Sequence, residues 1–329
     1  MTAARWTCVA LYVPLLSLAA PAAPTERQSQ TPVFRFGTDA VLVDVSVRQG
    51  GRAVGGLTSA DFELLDSGVP QTIESTTLET VPLDLTLLLD TSGSTEGVLL
   101  DRLKQAVLDT VGLLRPDDRL RVLAIQHVIK EIVPLQSAAA PLPIDRLSAE
   151  GGTALYDGLA AVLMRPAVTG RRQLVVAYTD GDDASSITSP SLVLEIALRA
   201  DAVVHVVVPV EGPRGRPAAA PAPPIGAAPE KQARGRLSAL ESAGAGDSGA
   251  FPNEPALQAV TARTGGRVFV IDLNDSISDA FKDVLADYRT SYLLQYIPQG
   301  VPPEGWHEIV VRVKKTGAYE VRARRGWGG

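Results

Sequence analysis

The sequence holds a single cysteine, Cys8, and it stands near the front of an apolar N-terminal run. A cysteine that anchors a lipid would follow such a run, so no lipid attachment is expected at Cys8. Once the run is removed no disulfide is possible, and a chain of 329 residues is long enough to fold on its apolar core alone. Histidine is as scarce: His127, His205 and His307 show no ligand spacing, and His205 lies in an apolar strand, which suits a core position. Neither sign of charge dominates, with 31 Lys and Arg against 37 Asp and Glu and a net charge of −6. The basic patch expected of a nucleic-acid-binding protein is therefore missing. Beyond the N-terminus no apolar stretch reaches the roughly 18 residues a membrane helix needs, so no integral membrane segment is expected after it.

What is present divides into an N-terminal signal and four regions. Arg5, the apolar run Trp6 to Leu18 and the small-x-small site Ala20-Pro21-Ala22 read as a signal peptide over residues 1–22, which implies export to periplasm, cell surface or medium. A polar stretch, 24–34, follows. Residues 35–80 read as a small β unit, with Val41, Val43, Val45 and Val47 alternating with Leu42, Asp44, Ser46 and Arg48. Residues 82–290 alternate strands with helices: the nearly continuous apolar run Leu83 to Leu89, then Leu99, Leu103, Val107, Val111 and Leu114 at helical spacing, and so on to a helix over Ser276 to Tyr288. That rhythm predicts an α/β fold of doubly wound type, a mostly parallel six-stranded sheet with helices on both faces. One segment, 211–255, is rich in Ala, Pro and Gly and poor in large apolar side chains, and reads as a disordered insertion. Residues 291–329 read as a β tail, in which Ile309 to Val313 and Tyr319 to Ala323 form a hairpin about Lys315-Thr316-Gly317, with Arg312, Lys314 and Arg322 on a basic outer face.

Chemistry concentrates in three loops. Asp90-Thr91-Ser92-Gly93-Ser94 follows the most apolar strand, and in open α/β sheets ligands bind beyond the carboxyl ends of strands where strand order reverses. Gly151-Gly152-Thr153 enters another helix, and Thr179-Asp180-Gly181-Asp182 ends the strand Gln173 to Tyr178. Taken singly, the first is also a Ser-rich helix cap, Thr153 an N-cap and the third a surface turn. Together they offer two carboxylates and three hydroxyls at one sheet edge, hard oxygen donors that suit Mg²⁺, Mn²⁺ or Ca²⁺ rather than zinc. Asp182 and Asp183 beside them read as rim charges.

The order Asp-x-Ser-x-Ser, Gly-Gly-Thr, Thr-Asp-Gly resembles the metal-ion-dependent adhesion site of von Willebrand factor type A domains, over about residues 82 to 290. More closely, the chain is similar to a bacterial family of exported proteins that add a short β unit like Leu57-Thr58-Ser59-Ala60-Asp61-Phe62 and a β tail like Tyr292-Leu293-Leu294-Gln295-Tyr296. It departs from them by its long Ala/Pro insertion. The resemblance implies Mg²⁺ held by Asp90, Ser92, Ser94, Thr153 and Asp180, with Thr153 a ligand in one state only and one open position for a carboxylate from a protein partner. It implies a non-catalytic binding module of adhesion type. Other readings stand beside it: a structural module without metal function, a metal-dependent hydrolase, and an aspartic protease, for which Asp90-Thr91-Ser92 is a poor match and a second motif is lacking.

Overall fold

The computed structural model describes residues 40–78, 81–210 and 251–328. The expected signal peptide and most of the Ala/Pro insertion lie outside the described residues. In chain order the strands are β1 (Val41–Gln49), β2 (Arg52–Ala53), β3 (Phe62–Asp66), β4 (Val69–Gln71) and β5 (Ile73–Leu78); then come β6 (Leu83–Asp90), α1 (Val98–Val111), β7 (Arg119–Ile125) and β8 (Ile129–Ser137). They are followed by α2 (Leu155–Leu163), β9 (Arg172–Tyr178), α3 (Pro190–Arg199), β10 (Val203–Val210), α4 (Glu254–Thr264), β11 (Val268–Asp272) and α5 (Ile277–Arg289). The chain ends in β12 (Tyr292–Tyr296), β13 (Trp306–Val313), β14 (Glu320–Ala323) and β15 (Gly326–Gly328).

The central sheet has six strands in the order β11-β10-β9-β6-β7-β8, parallel throughout except for β8, which runs antiparallel to β7 at one edge. All eight residues of β6 are buried, as the continuous apolar run requires of a strand covered on both faces. Strand alternation divides its leucines. Leu85, Leu87 and Leu89 pack with Leu103 and Val107 of α1 and Phe281 and Val284 of α5. Leu88 turns the other way, to Leu155 and Leu159 of α2, Val193 of α3 and Leu257 of α4. The chain leaves β6 toward β7 on one side and later enters β9 on the other, so strand order reverses between β6 and β9, and in open α/β sheets ligands bind past the carboxyl ends at such a reversal.

The two flanking β regions are not separate appendages. Strands β14, β1, β12 and β5 form one sheet, with β2 paired to β1; β15, β13, β3 and β4 form a second. Each sheet therefore mixes strands from both ends of the chain, and their inner faces share one core of Val43, Val45, Val47, Phe62, Leu64, Tyr292, Leu294, Tyr296, Ile309 and Val311. The expected hairpin is corrected by this pairing. Strand β13 pairs with β3 and β15 while β14 pairs with β1, so the two strands on either side of Lys315-Thr316-Gly317 belong to different sheets. Alternation marks a strand but carries no information about its partner. The basic outer face dissolves with the hairpin: Arg312 is exposed beside Glu63, whereas Arg322 is largely buried and reaches Asp287 and Ser46.

The polar side of β1 lies against the α/β domain. Arg172 of β9 is 6% exposed; its Nε donates to Asp44 Oδ1 at 2.7 Å and its Nη2 to Ser291 Oγ at 2.6 Å, and its guanidinium lies 4.1 Å from the centre of the Tyr288 ring. Asp287 of α5, 7% exposed, takes Arg48 of β1, Arg267 and Arg322 of β14.

The insertion also ends earlier than its composition suggests. Phe251 is 5% exposed within the core under α2, α3 and α4, and Asn253 holds the N-cap position of α4, so residues 251–255 belong to the fold.

Candidate metal centre

Asp90 is the last residue of β6 and is 2% exposed. Its Oδ1 accepts the Ser92 amide at 3.1 Å and the Thr153 hydroxyl at 3.3 Å, and its Oδ2 accepts the Thr179 hydroxyl at 3.1 Å. Burial, with the Asp180 charge added to it, lifts the Asp90 carboxyl to about 6, against which the hydrogen bonds from Ser92 and Thr179 pull only in part. No basic side chain contacts Asp90 among the described residues. A buried carboxylate beside a second one, without a cationic partner, is a standing cost that a bound cation removes.

The serines follow in a single 3-10 turn, Gly93–Thr95. Ser92 closes it with its carbonyl, which accepts the Thr95 amide at 2.9 Å and the Thr95 hydroxyl at 2.8 Å. Its hydroxyl makes no capping bond and instead lies 3.0 Å from Ser94 Oγ. That removes the helix-cap explanation for Ser92. Thr153 is likewise not an N-cap: Ala154 holds that position and has no side chain to cap with. The amide of Leu155 at the start of α2 is satisfied by Asp183 Oδ1, at 2.8 Å. Asp183 is thus a capping group supplied from another loop, a more specific role than rim charge.

Asp180 follows β9, and its Oδ1 accepts the Asp182 amide at 2.9 Å, which tightens the turn after it. Gly181 has φ 93°, and a Cβ there would stand 2.3 Å from Pro252 O, so only glycine fits. Asn253 Nδ2 donates to Gly181 O at 2.8 Å, which braces the Asp180 loop from the far side of the insertion. The first two loops are tied directly, Gly93 N to Gly151 O at 2.9 Å and Glu150 N to Thr91 O at 3.0 Å.

The structure thus brings Asp90, Ser92, Ser94 and Thr153 to one point and sets Asp180 within electrostatic reach of Asp90. Neighbouring ligands of an octahedral Mg²⁺, each about 2.1 Å from the metal, stand about 3 Å apart. The Ser92–Ser94 and Thr153–Asp90 separations of 3.0 and 3.3 Å are of that size. No group of three or more His, Cys, Asp or Glu is placed to hold a metal among the described residues, so a metal here would be held largely by hydroxyls. Thr179 is the residue that sequence reasoning passed over. Fully buried, it orients the Asp90 carboxylate and accepts the Gly181 amide at 3.0 Å; its place between an apolar strand and Asp180 was the available signal.

No family model matches the chain. An uncharacterized protein of Synechocystis sp. is 38% identical over 109 residues, 31% of this chain and 26% of that protein, so the match spans about a quarter of the relative's length. Among solved structures, a von Willebrand factor type A protein from Catenulispora acidiphila aligns over 90% of this chain and 76% of its own, at 13% identity and a TM-score of 0.46. Proximal thread matrix protein 1 from the mussel byssus, with a zinc-occupied MIDAS motif, aligns over 66% of this chain and 48% of its own, at 15% identity and 0.44. The conserved hypothetical protein BatB from Bacteroides thetaiotaomicron aligns over 63% of this chain and 98% of its own, at 16% and 0.42. Among the described residues no helix is long and apolar enough to cross a membrane.

Proposed function

We propose that the von Willebrand factor A-related domain of this chain is an exported, metal-dependent protein-binding module that holds one divalent cation, Mg²⁺ by preference, and uses it to engage a carboxylate of a protein partner. Asp90, Ser92, Ser94, Thr153 and Asp180 would hold the ion. The observation that carries this reading is the buried Asp90 carboxylate, lifted to about 6 and ringed by hydroxyls instead of cations. Mg²⁺ favours octahedral oxygen coordination and retains waters, so a bound ion offers an exchangeable position to an incoming acidic side chain. Such a contact fixes direction and partner choice more than raw affinity. Mn²⁺ and Ca²⁺ fit the same donor set.

Calorimetric titration with Mg²⁺ or Mn²⁺ is expected to show one site in the wild type and none in Asp90→Ala. Equal binding by both proteins would overturn the assignment. Partner capture from cell-envelope extract is expected to vanish in chelator and return with Mg²⁺ or Mn²⁺; capture that survives chelator and Asp180→Ala would place recognition on another surface.

Metal-assisted hydrolysis is a second reading, and His127 favours it. The imidazole is exposed on the rim, where a Cβ built on Gly151 would come within 2.5 Å of its Nδ1. Turnover of ester or phosphoester substrates that is lost in His127→Ala would select this reading over a binding module.

A further inference from the structure

The loops that carry Thr153 and Asp180 are joined by bonds that involve neither side chain. Ala184 N and Ser185 N both donate to Thr153 O, at 2.9 and 3.0 Å. Leu155 N donates to Asp183 Oδ1 at 2.8 Å, and Asp157 N to Ser186 Oγ at 3.1 Å. The first turn of a helix leaves its amides without intrahelical partners, and Ala154 cannot cap them, so the 183–186 loop does. Asp157 returns the contact: its Oδ2 accepts Ile187 N at 3.0 Å and its Oδ1 accepts Thr188 N at 2.8 Å. Burial raises the Asp157 carboxyl, but the bonds from Thr188 and Ile187 outweigh it and hold the group below its ordinary range, as a carboxylate acting as a fixed acceptor should be.

The Asp90 loop is joined to the other two by four bonds, Gly93 N to Gly151 O and Glu150 N to Thr91 O through the backbone, and the Asp90 carboxylate, one oxygen to Thr153 and the other to Thr179. The centre has two parts with different bracing. One is the end of β6 with the serine turn; the other is the start of α2 clasped to the loop after β9.

We propose that Asp157 is a positioning residue for the metal centre: by clasping the Ile187–Thr188 backbone to the first turn of α2 it fixes Thr153 and Asp180 at one spacing, so that they meet the cation as a unit. The inference rests on the metal reading above. It also restricts any switch, because the Thr153 backbone cannot shift without displacing the Asp180 loop.

The test uses the full chain with Mn²⁺ as probe. Asp157→Asn keeps size and shape but retains one acceptor oxygen and turns an amino group toward one of two N–H donors. Groups that orient metal ligands typically contribute about 10- to 100-fold in metal affinity, so Asp157→Asn is expected to weaken Mn²⁺ binding at least about tenfold. In chelator, hydrogen exchange at Ala184, Ser185, Ile187 and Thr188 is expected to accelerate. Ser186→Ala, which removes a single tether, should show the same pattern to a smaller degree and serves if Asp157→Asn does not fold. Val45→Ala, in the core shared by the outer sheets, lowers stability without touching the loops and should bind Mn²⁺ as the wild type does. Unchanged affinity in Asp157→Asn and Ser186→Ala overturns the proposal, and so does an equal loss in Val45→Ala. Failure of the wild type itself to bind Mn²⁺ overturns the metal reading on which the proposal stands.

Discussion

Asp90 shows how a residue can be placed against stability. In metal-free protein at pH 7 its charge is buried beside Asp180 with hydroxyl and amide donors only. An amide in its place would keep an acceptor oxygen and shed the charge. Asp90→Asn in chelator is therefore expected to unfold at a higher temperature than the wild type, by the equivalent of about 1–3 kcal/mol. With excess Mn²⁺ the order should invert, since only the wild type gains from the ion. Thermal melts of both proteins under both conditions decide it, and a clear loss of stability in chelator would show that Asp90 is a structural group. The proposed ligands stood out in sequence because each sits in a short local motif, after a strand or before a helix. Thr179, Asp157 and Asp183 were not, since their roles depend on which loops the strand reversal between β6 and β9 makes neighbours.

Among the elements, β15 is a short edge strand of the outer sheets, three residues paired to β13. It is held by Trp327, whose Nε1 donates to Asp66 Oδ2 at 3.2 Å and Tyr296 Oη at 3.0 Å, and whose ring stacks on His307 at 4.2 Å. Asp66 is fully buried and also contacts His307 Nδ1 and Tyr296 Oη, at 2.8 Å each. Trp327→Phe keeps the ring contact and removes one donor from this cluster. A destabilisation of about 1–2 kcal/mol is expected, read from the urea midpoint, with faster exchange along β15. Little of this was readable beforehand: period-two alternation located β1, β13 and β14 but not their pairing, and Gly326-Trp327-Gly328 has no alternation at all. The α/β portion was easier, because helix period, apolar strands and Gly or Ser boundaries all agree there. The insertion boundary was misplaced because Pro252 and Pro255 share the composition of the preceding segment, whereas Phe251, a single buried aromatic, decides where the fold resumes.

At the scale of the whole molecule, the described residues, 40–78, 81–210 and 251–328, form one compact unit. Arg172–Asp44 and the Asp287 cluster of Arg48, Arg267 and Arg322 join the outer sheets to the α/β domain through buried charge pairs, which are costly to separate because each partner would be left unpaired. Unfolding is accordingly expected to be a single transition. Trp306 and Trp327 both lie in the outer sheets, so tryptophan fluorescence follows that part while far-ultraviolet dichroism follows the helices of the other. Coincident urea curves are the expected result; a fluorescence transition well ahead of the dichroism would mean that the two parts unfold independently.

The pairing of β1 with β12 and β14 also orders events in time. Val41 meets Tyr296, and Arg48 meets Glu320, only after the whole α/β domain between them has been synthesised. The first strand must wait, its inward valines uncovered, while the α/β elements behind it find neighbours close in sequence. Closing so distant a contact is slow, and the strand stays open to mispairing meanwhile. A polypeptide whose outer sheet cannot close until β12 and β14 emerge stays threadable while the residues between are being made.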